Sequence, residues 1–263
     1  MKTIKTFFLL LFAHSCFSQQ VLVKSLTVTG LDTTNFYNDY NFLYPFITHS
    51  NEAVQDSINF TLQSDYLITD SNAGLDSNSI KIQLNHAAGD GFTFMNYGIV
   101  FTSRRLLGLD IFAEASGAYP YGWTNHYLFD LKTGHRYLLG ELLNNTNKQQ
   151  FVSAVITTMK DSMNNYTIEI MNEITAGQRD SSDLDDLRYF LDECMLSPDS
   201  SQVLDNNNYY LVNDTLHIDH FCTFPHVAKA LEPYFTIPYT ADKIRMYLLP
   251  EIYEELISQK VKK

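Results

Sequence analysis

Cationic residues are scarce in this chain: Lys and Arg number 18 against 30 Asp and Glu, for a formal net charge of −12. Such an acidic body repels phosphate backbones, which argues against nucleic acid as a partner and favours cationic partners at long range. Long apolar runs are scarcer still. The one clear run, Phe7–Ala13, is too short to span a bilayer, and no later stretch approaches that length. Cysteine is confined to Cys16, Cys194 and Cys222. No serine nucleophile elbow, glycine-rich phosphate loop or HExxH pair occurs, and there is no internal repeat or low-complexity tract. Enzyme classes with a linear signature therefore find no match here, and no cofactor is expected.

The amino terminus has the make-up of a secretory signal. Lys2 and Lys5 form a charged region, Phe7–Ala13 an apolar one, and Ser15, Cys16 and Ser18 supply small residues near a cleavage point at Ser18–Gln19. A rival reading makes Cys16 a lipidated residue, against which the bulky His14 weighs. The expected product is an exported protein of the periplasm or cell surface, with residues 1–18 as signal and 19–263 as a single domain. Cys194 and Cys222 then stand in an oxidising compartment, where they could form one disulfide or remain two separately buried thiols.

The strongest local grammar lies in Tyr127–Leu143. Two strand-like runs, Tyr127–Leu131 and Arg136–Leu139, flank Lys132-Thr133-Gly134-His135, where Gly134 can take positive φ without steric cost. This predicts a β-hairpin, followed by a helix entered through Glu141-Leu142-Leu143. Upstream, Val21–Thr29 alternates as a first strand, Tyr44–Ile47 is extended around Pro45, and Asn51 is placed to cap a helix over Glu52–Ile68. Strand composition marks Ile80–Leu84, Phe92–Thr102, Leu106–Ala115 and Trp123–Leu131. Asn147 with Gln150 resembles a capping box opening a helix over Lys148–Asn164, with Met159 and Met163 as core filler. A short helix is expected at Leu184–Glu193, strands at Tyr209–Val212, Leu216–Phe221 and Tyr234–Ile237, and closing helical turns on either side of Pro250. Runs of strands with a few covering helices, without βαβ alternation, predict an α+β fold built on an antiparallel β-sheet.

Residues that could carry chemistry are few. His217, His220, Cys222 and His226 fall within ten residues, but on a strand His217 points away from His220 and Cys222, so no metal site is expected. Cys222 lacks an orienting third group for a thiol nucleophile. Asp180, Asp183, Asp185 and Asp186 lack the glycine and terminal Glu of a calcium loop and read as solvated. Asp110 and Glu114 share a strand face and are the one candidate acid pair for glycoside hydrolysis. Tyr119, Tyr121 and Trp123 crowd the loop Ala118–Thr124 and are candidate ligand-binding residues; the alternative is that they pack a sheet end.

These pieces together resemble a family of exported bacterial domains of largely unknown function. That family includes the extracellular lysozyme-receptor domain of the anti-sigma factor RsiV and domains attached to peptidoglycan deacetylases. The resemblance rests on Tyr44-Pro45 followed by a helix with Asn59, Gly117–Pro120, Phe129–Gly134 with Leu139 and Glu141–Leu143, Tyr209–Leu216, Glu232-Pro233-Tyr234 and Ile237-Pro238-Tyr239. It spans roughly residues 40–250. The chain departs at Tyr119, where relatives commonly carry His, and by inserting the acidic loop Ala176–Asp186. The resemblance implies a non-enzymatic envelope domain that binds a cationic, lysozyme-like protein or a peptidoglycan fragment. A cell-wall glycan hydrolase using Asp110 and Glu114, and a purely structural surface module, are the alternatives.

Overall fold

The computed structural model describes residues 21–31, 39–67, 74–116, 121–180, 185, 187–191, 203–204, 208–222, 224 and 231–258. Strands β1 (Leu22–Leu31), β2 (Asp39–Thr48), β3 (Phe92–Thr102), β4 (Leu106–Ala115) and β5 (Tyr121–Asp130) form one sheet in the order β1-β2-β3-β4-β5. All neighbours are antiparallel except β2 and β3, which run parallel through Asn41–Phe94 and Phe42–Met95. A parallel pair needs a crossover connection. Helices α1 (Glu52–Tyr66) and α2 (Ser77–Gly89) provide it.

Asn51 caps α1 as expected, its side chain accepting from the Ala53 N–H at 3.1 Å. Val54, Ile58, Leu62 and Tyr66 recur at helical spacing and press on the sheet. The buried Asn59 completes the joint. Its amide accepts from the Ile47 N–H and donates to the Ile47 carbonyl, both at 2.9 Å, so one side chain serves as a strand partner for β2.

Ile80–Leu84 is not a strand. Asp76 accepts from the Asn78 and Ser79 N–H groups and opens α2 there. Strand geometry would put Ile80, Ile82 and Leu84 on one face, whereas a helix separates them. Ile80 and Leu84 are fully buried with Ala87 and Ala88, and Ile82 is 58% exposed. The short IKIQL run satisfies both periods, and the cap decides.

After β5 the chain turns back as predicted. Gly134 has φ of +76°, and its N–H reaches the Asp130 carbonyl at 2.7 Å. The return arm pairs with β5 only at Arg136, then leaves through a 3-10 turn at Leu139–Glu141. Helix α3 begins at Lys148, as expected, but runs to Thr175. The capping box at its start does not form; Asn147 instead donates through Nδ2 to the Met246 carbonyl at 2.7 Å. Strands β6 (Tyr209–Val212), β7 (Thr215–Phe221) and β8 (Tyr234–Thr240) form a second antiparallel sheet in the order β6-β7-β8. A helical turn α4 (Ala241–Ile244) and helix α5 (Pro250–Ile257) follow, Pro250 taking the first helical position where its missing N–H costs nothing.

The expected α+β class holds, with two sheets instead of one. The odd residues of β4, Leu107 to Ala113, meet α1 and α2 in a first core. A second core gathers Phe101, Leu106 and Leu128 from the opposite face of the first sheet with α3, the second sheet and α5. A third lines the carboxyl-terminal half of α3 with Leu187, Cys222 and Phe224.

Candidate functional site

The two sheets meet at a polar seam. His126 on β5 stands directly opposite Asp110 on β4, and its Nδ1 lies 2.7 Å from the Asp110 carboxylate. Its Nε2 lies 3.2 Å from Asp219 on β7, 93 residues away in sequence. Asp219 also accepts from the Thr236 hydroxyl at 2.7 Å and from the Tyr234 hydroxyl. The His126 ring stacks on Tyr210 at 4.4 Å, and Tyr210 stacks on His217 at 4.9 Å. Burial pulls the His126 pKa down, but hydrogen bonds and charge from Asp110 and Asp219 outweigh it and push it up to about 9. Burial raises Asp219 in turn; its bonds to His126, Tyr234 and Thr236 overcome that and hold it below the usual carboxylate range.

At neutral pH this is an imidazolium between two carboxylates. A charged imidazole has no free lone pair, so His126 cannot serve as a general base there. The Asp219 carboxylate is occupied by three donors. The arrangement joins β4 and β5 to β7 and β8 and offers no nucleophile–base relay among the described residues. Asp110 keeps its Oδ2 without a protein donor among them, and Glu114 forms neither a hydrogen bond nor an ion pair with them. Four residues apart on an extended strand, the Cα atoms of Asp110 and Glu114 stand about 14 Å apart at ~3.4 Å per residue.

A second polar cluster fixes the turn after β5. Asp130 is buried and accepts at Oδ2 from Arg105 Nε (2.9 Å), Arg105 Nη2 (2.8 Å) and the Tyr137 hydroxyl (2.9 Å). Its Oδ1 takes the Lys132 N–H at 2.7 Å. Beside it, Arg136 lies over the Tyr127 ring at 4.2 Å and donates to Asp65 at 2.8 Å, where the Tyr127 hydroxyl also donates. These residues hold β5, its return arm and α1 together, a scaffold role for the stretch whose local grammar is strongest.

The aromatic candidates sit at the other end of β5. Tyr121 is 61% exposed and stacks on Trp123 at 5.1 Å, while Trp123 meets Phe92 edge-on at 5.7 Å and packs against the first core. Tyr119 lies outside the described residues. Trp123 therefore does part of its work as sheet-end packing, and Tyr121 presents its ring to solvent. Cys222 is buried and disulfide-bonded, not a free buried thiol; Cys194, one possible partner, lies outside the described residues, as does His226. His217 joins the seam's aromatic stack, and among the described residues no three His, Cys, Asp or Glu side chains are grouped to hold a metal.

Sequence reasoning singled out Asp110 but not His126 or Asp219. A usable signal was present for His126, a polar residue at an inward position on a β5 segment otherwise buried from Tyr127 to Asp130. Asp219 carried none, because its partner comes from another sheet.

No protein-family profile matches the chain, and no curated protein sequence matches it. Solved structures do. The fold is similar to a crystal structure of a DUF3298 family member from Bacteroides fragilis, with TM-score 0.52 and 12% identity over 92% of this chain and 98% of that one. It is similar to a DUF3298 family protein from Pseudomonas aeruginosa, with TM-score 0.52 and 10% identity over 89% and 97%. At such identities the likeness concerns the fold.

Proposed function

We propose that the chain is an exported envelope module that binds rather than catalyses, and that its partner is a cationic, lysozyme-like protein or a cell-wall glycan. The observation that carries this is an exposed aromatic edge, Tyr121 stacked on Trp123, on a body of net charge −12. Stiff aromatic rings offer large contact area at small entropic cost, and an acidic surface steers a basic partner inward. The signal-like amino terminus and the resemblance to a lysozyme-receptor domain support the same reading. A glycan hydrolase through Asp110 and Glu114 gains no support: the Asp110 carboxylate pairs with His126.

The test is binding of the mature chain, Gln19–Lys263, to purified lysozyme and to muropeptides at low and moderate salt. Binding that weakens with salt, and weakens again in Tyr121→Ala, is the expected result. Cleaved or modified muropeptides would replace this reading with an enzymatic one.

A further inference from the structure

The face of the first sheet opposite α1 and α2 is covered over only half its length by the described residues. Its covered half carries Phe101, Leu106 and Leu128, buried in the second core. Its other half carries Phe94, Gly98, Phe112, Glu114, Gly122 and Thr124, and every one of them is half-buried or exposed. Two aromatic rings, Phe94 and Phe112, lie side by side there at 6.0 Å. A side chain at Gly122 would strike the Phe112 ring, which lies over it at 2.9 Å. At Gly98 a Cβ would meet nothing within 4 Å, so the backbone beside Asp110 is bare.

Charge distinguishes the possible occupants. The three strands of this half-face contain no Lys or Arg. It carries the Glu114 carboxylate and the second oxygen of Asp110, both without a donor among the described residues, while the nearby cation His126 is buried against two carboxylates. A second copy of this chain would bring acid against acid. Edge strands of soluble proteins are ordinarily blunted by Lys or Pro, and β5, at the edge of this sheet, has neither.

From this we infer that the uncovered half-face is where a basic segment of a protein partner docks, an apolar side chain over Phe94 and Phe112 and Lys or Arg against Glu114 and Asp110. This rests on the binding-module reading and adds to its Tyr121–Trp123 edge a second surface at the same end of the sheet. It also narrows the partner to a protein, because a pair of tilted aromatic rings beside carboxylates matches the apolar and basic side chains of a cationic polypeptide. The surface lies on the opposite side of the strands from Tyr121 and Trp123, which share the core-facing side.

The experiment compares wild type with Glu114→Lys, Gly98→Lys and Phe112→Ala, using lysozyme and cytochrome c as cationic probes, with thermal unfolding as a fold control. Gly98 opens on free space, so a side chain there tests the surface without disturbing the core. Glu114→Lys and Gly98→Lys should each weaken binding by about tenfold or more and flatten its salt dependence, at unchanged unfolding temperature. Variants that bind within about twofold of wild type, while Tyr121→Ala loses binding, would overturn this surface and keep the binding reading. A wild-type chain that binds neither probe would overturn this surface and the cationic-protein reading with it, leaving muropeptide binding as the only form of the binding reading.

Discussion

The strands β3, β4 and β5 lead two lives along their length. Along β5, every residue of Tyr121–Asn125 is exposed or half-buried, whereas His126–Asp130 is buried throughout. On β4 the outward residues follow the same gradient, from buried Leu106 and Gly108 through half-buried Asp110 and Phe112 to exposed Glu114. The covered end is closed by charge networks, Asp110–His126–Asp219 and Arg105–Asp130–Tyr137, whose members sit on different elements. The open end has aromatic pairs on both faces and an acid without a partner among the described residues. A buried charge persists only if it is paired, and an exposed aromatic pair gains little from folding; the first is the mark of a joint, the second is the end proposed for contact with a partner.

The comparison breaks most visibly at His126. His126→Leu leaves Asp219 buried without its cation and should cost about 3–5 kcal/mol in urea unfolding at pH 7, while a loss under about 1 kcal/mol would deny the seam a structural role. The pH dependence sharpens the same point. The folded pKa of about 9 lies above the ordinary histidine value of 6.5, so the imidazolium's contribution is complete below pH 6.5 and is lost as pH rises through 9. Wild type should lose roughly 3 kcal/mol relative to His126→Leu between pH 6 and pH 10. Asp219 acts with the opposite sign: its depressed pKa adds stability that fades as the solution is acidified below the usual carboxylate range.

Gly134 is a smaller test at the covered end. It needs φ of +76°, and a Cβ there would meet Ser57 Cβ at 2.8 Å and the Val54 carbonyl at 2.9 Å. Gly134→Ala should cost about 2 kcal/mol, read as a shift in the urea midpoint without change in slope. The smallest effect belongs to the open end. Glu114→Gln and Tyr121→Ala should alter stability by less than about 0.5 kcal/mol, and a larger loss would make that end a joint too.

The legible parts of this molecule are those that neighbours in sequence decide. The turn at Gly134 was readable because few other residues tolerate its backbone angle, and α1 because Asn51 caps it. Period-2 alternation located β3 and β4 to within their ends. The same rule misplaced Ile80–Leu84, because five apolar-alternating residues satisfy strand and helix alike until a cap such as Asp76 is weighed. The candidate site was legible only in part. Tyr121 and Trp123 declared themselves by crowding, but nothing local told which of them would face solvent.

Composition set the sign of the body's charge, and an acidic body favours a basic partner over an acidic one whatever its shape. Local pattern set the strands, the helix starts and the α+β class, since dihedral preference and capping act over a few residues. Tertiary structure alone brought Asp219 to His126 across 93 positions and left Phe94 and Phe112 half-buried and Glu114 exposed. Burial depends on where a second sheet comes to rest over the first, and that is decided by the sum of contacts between distant segments.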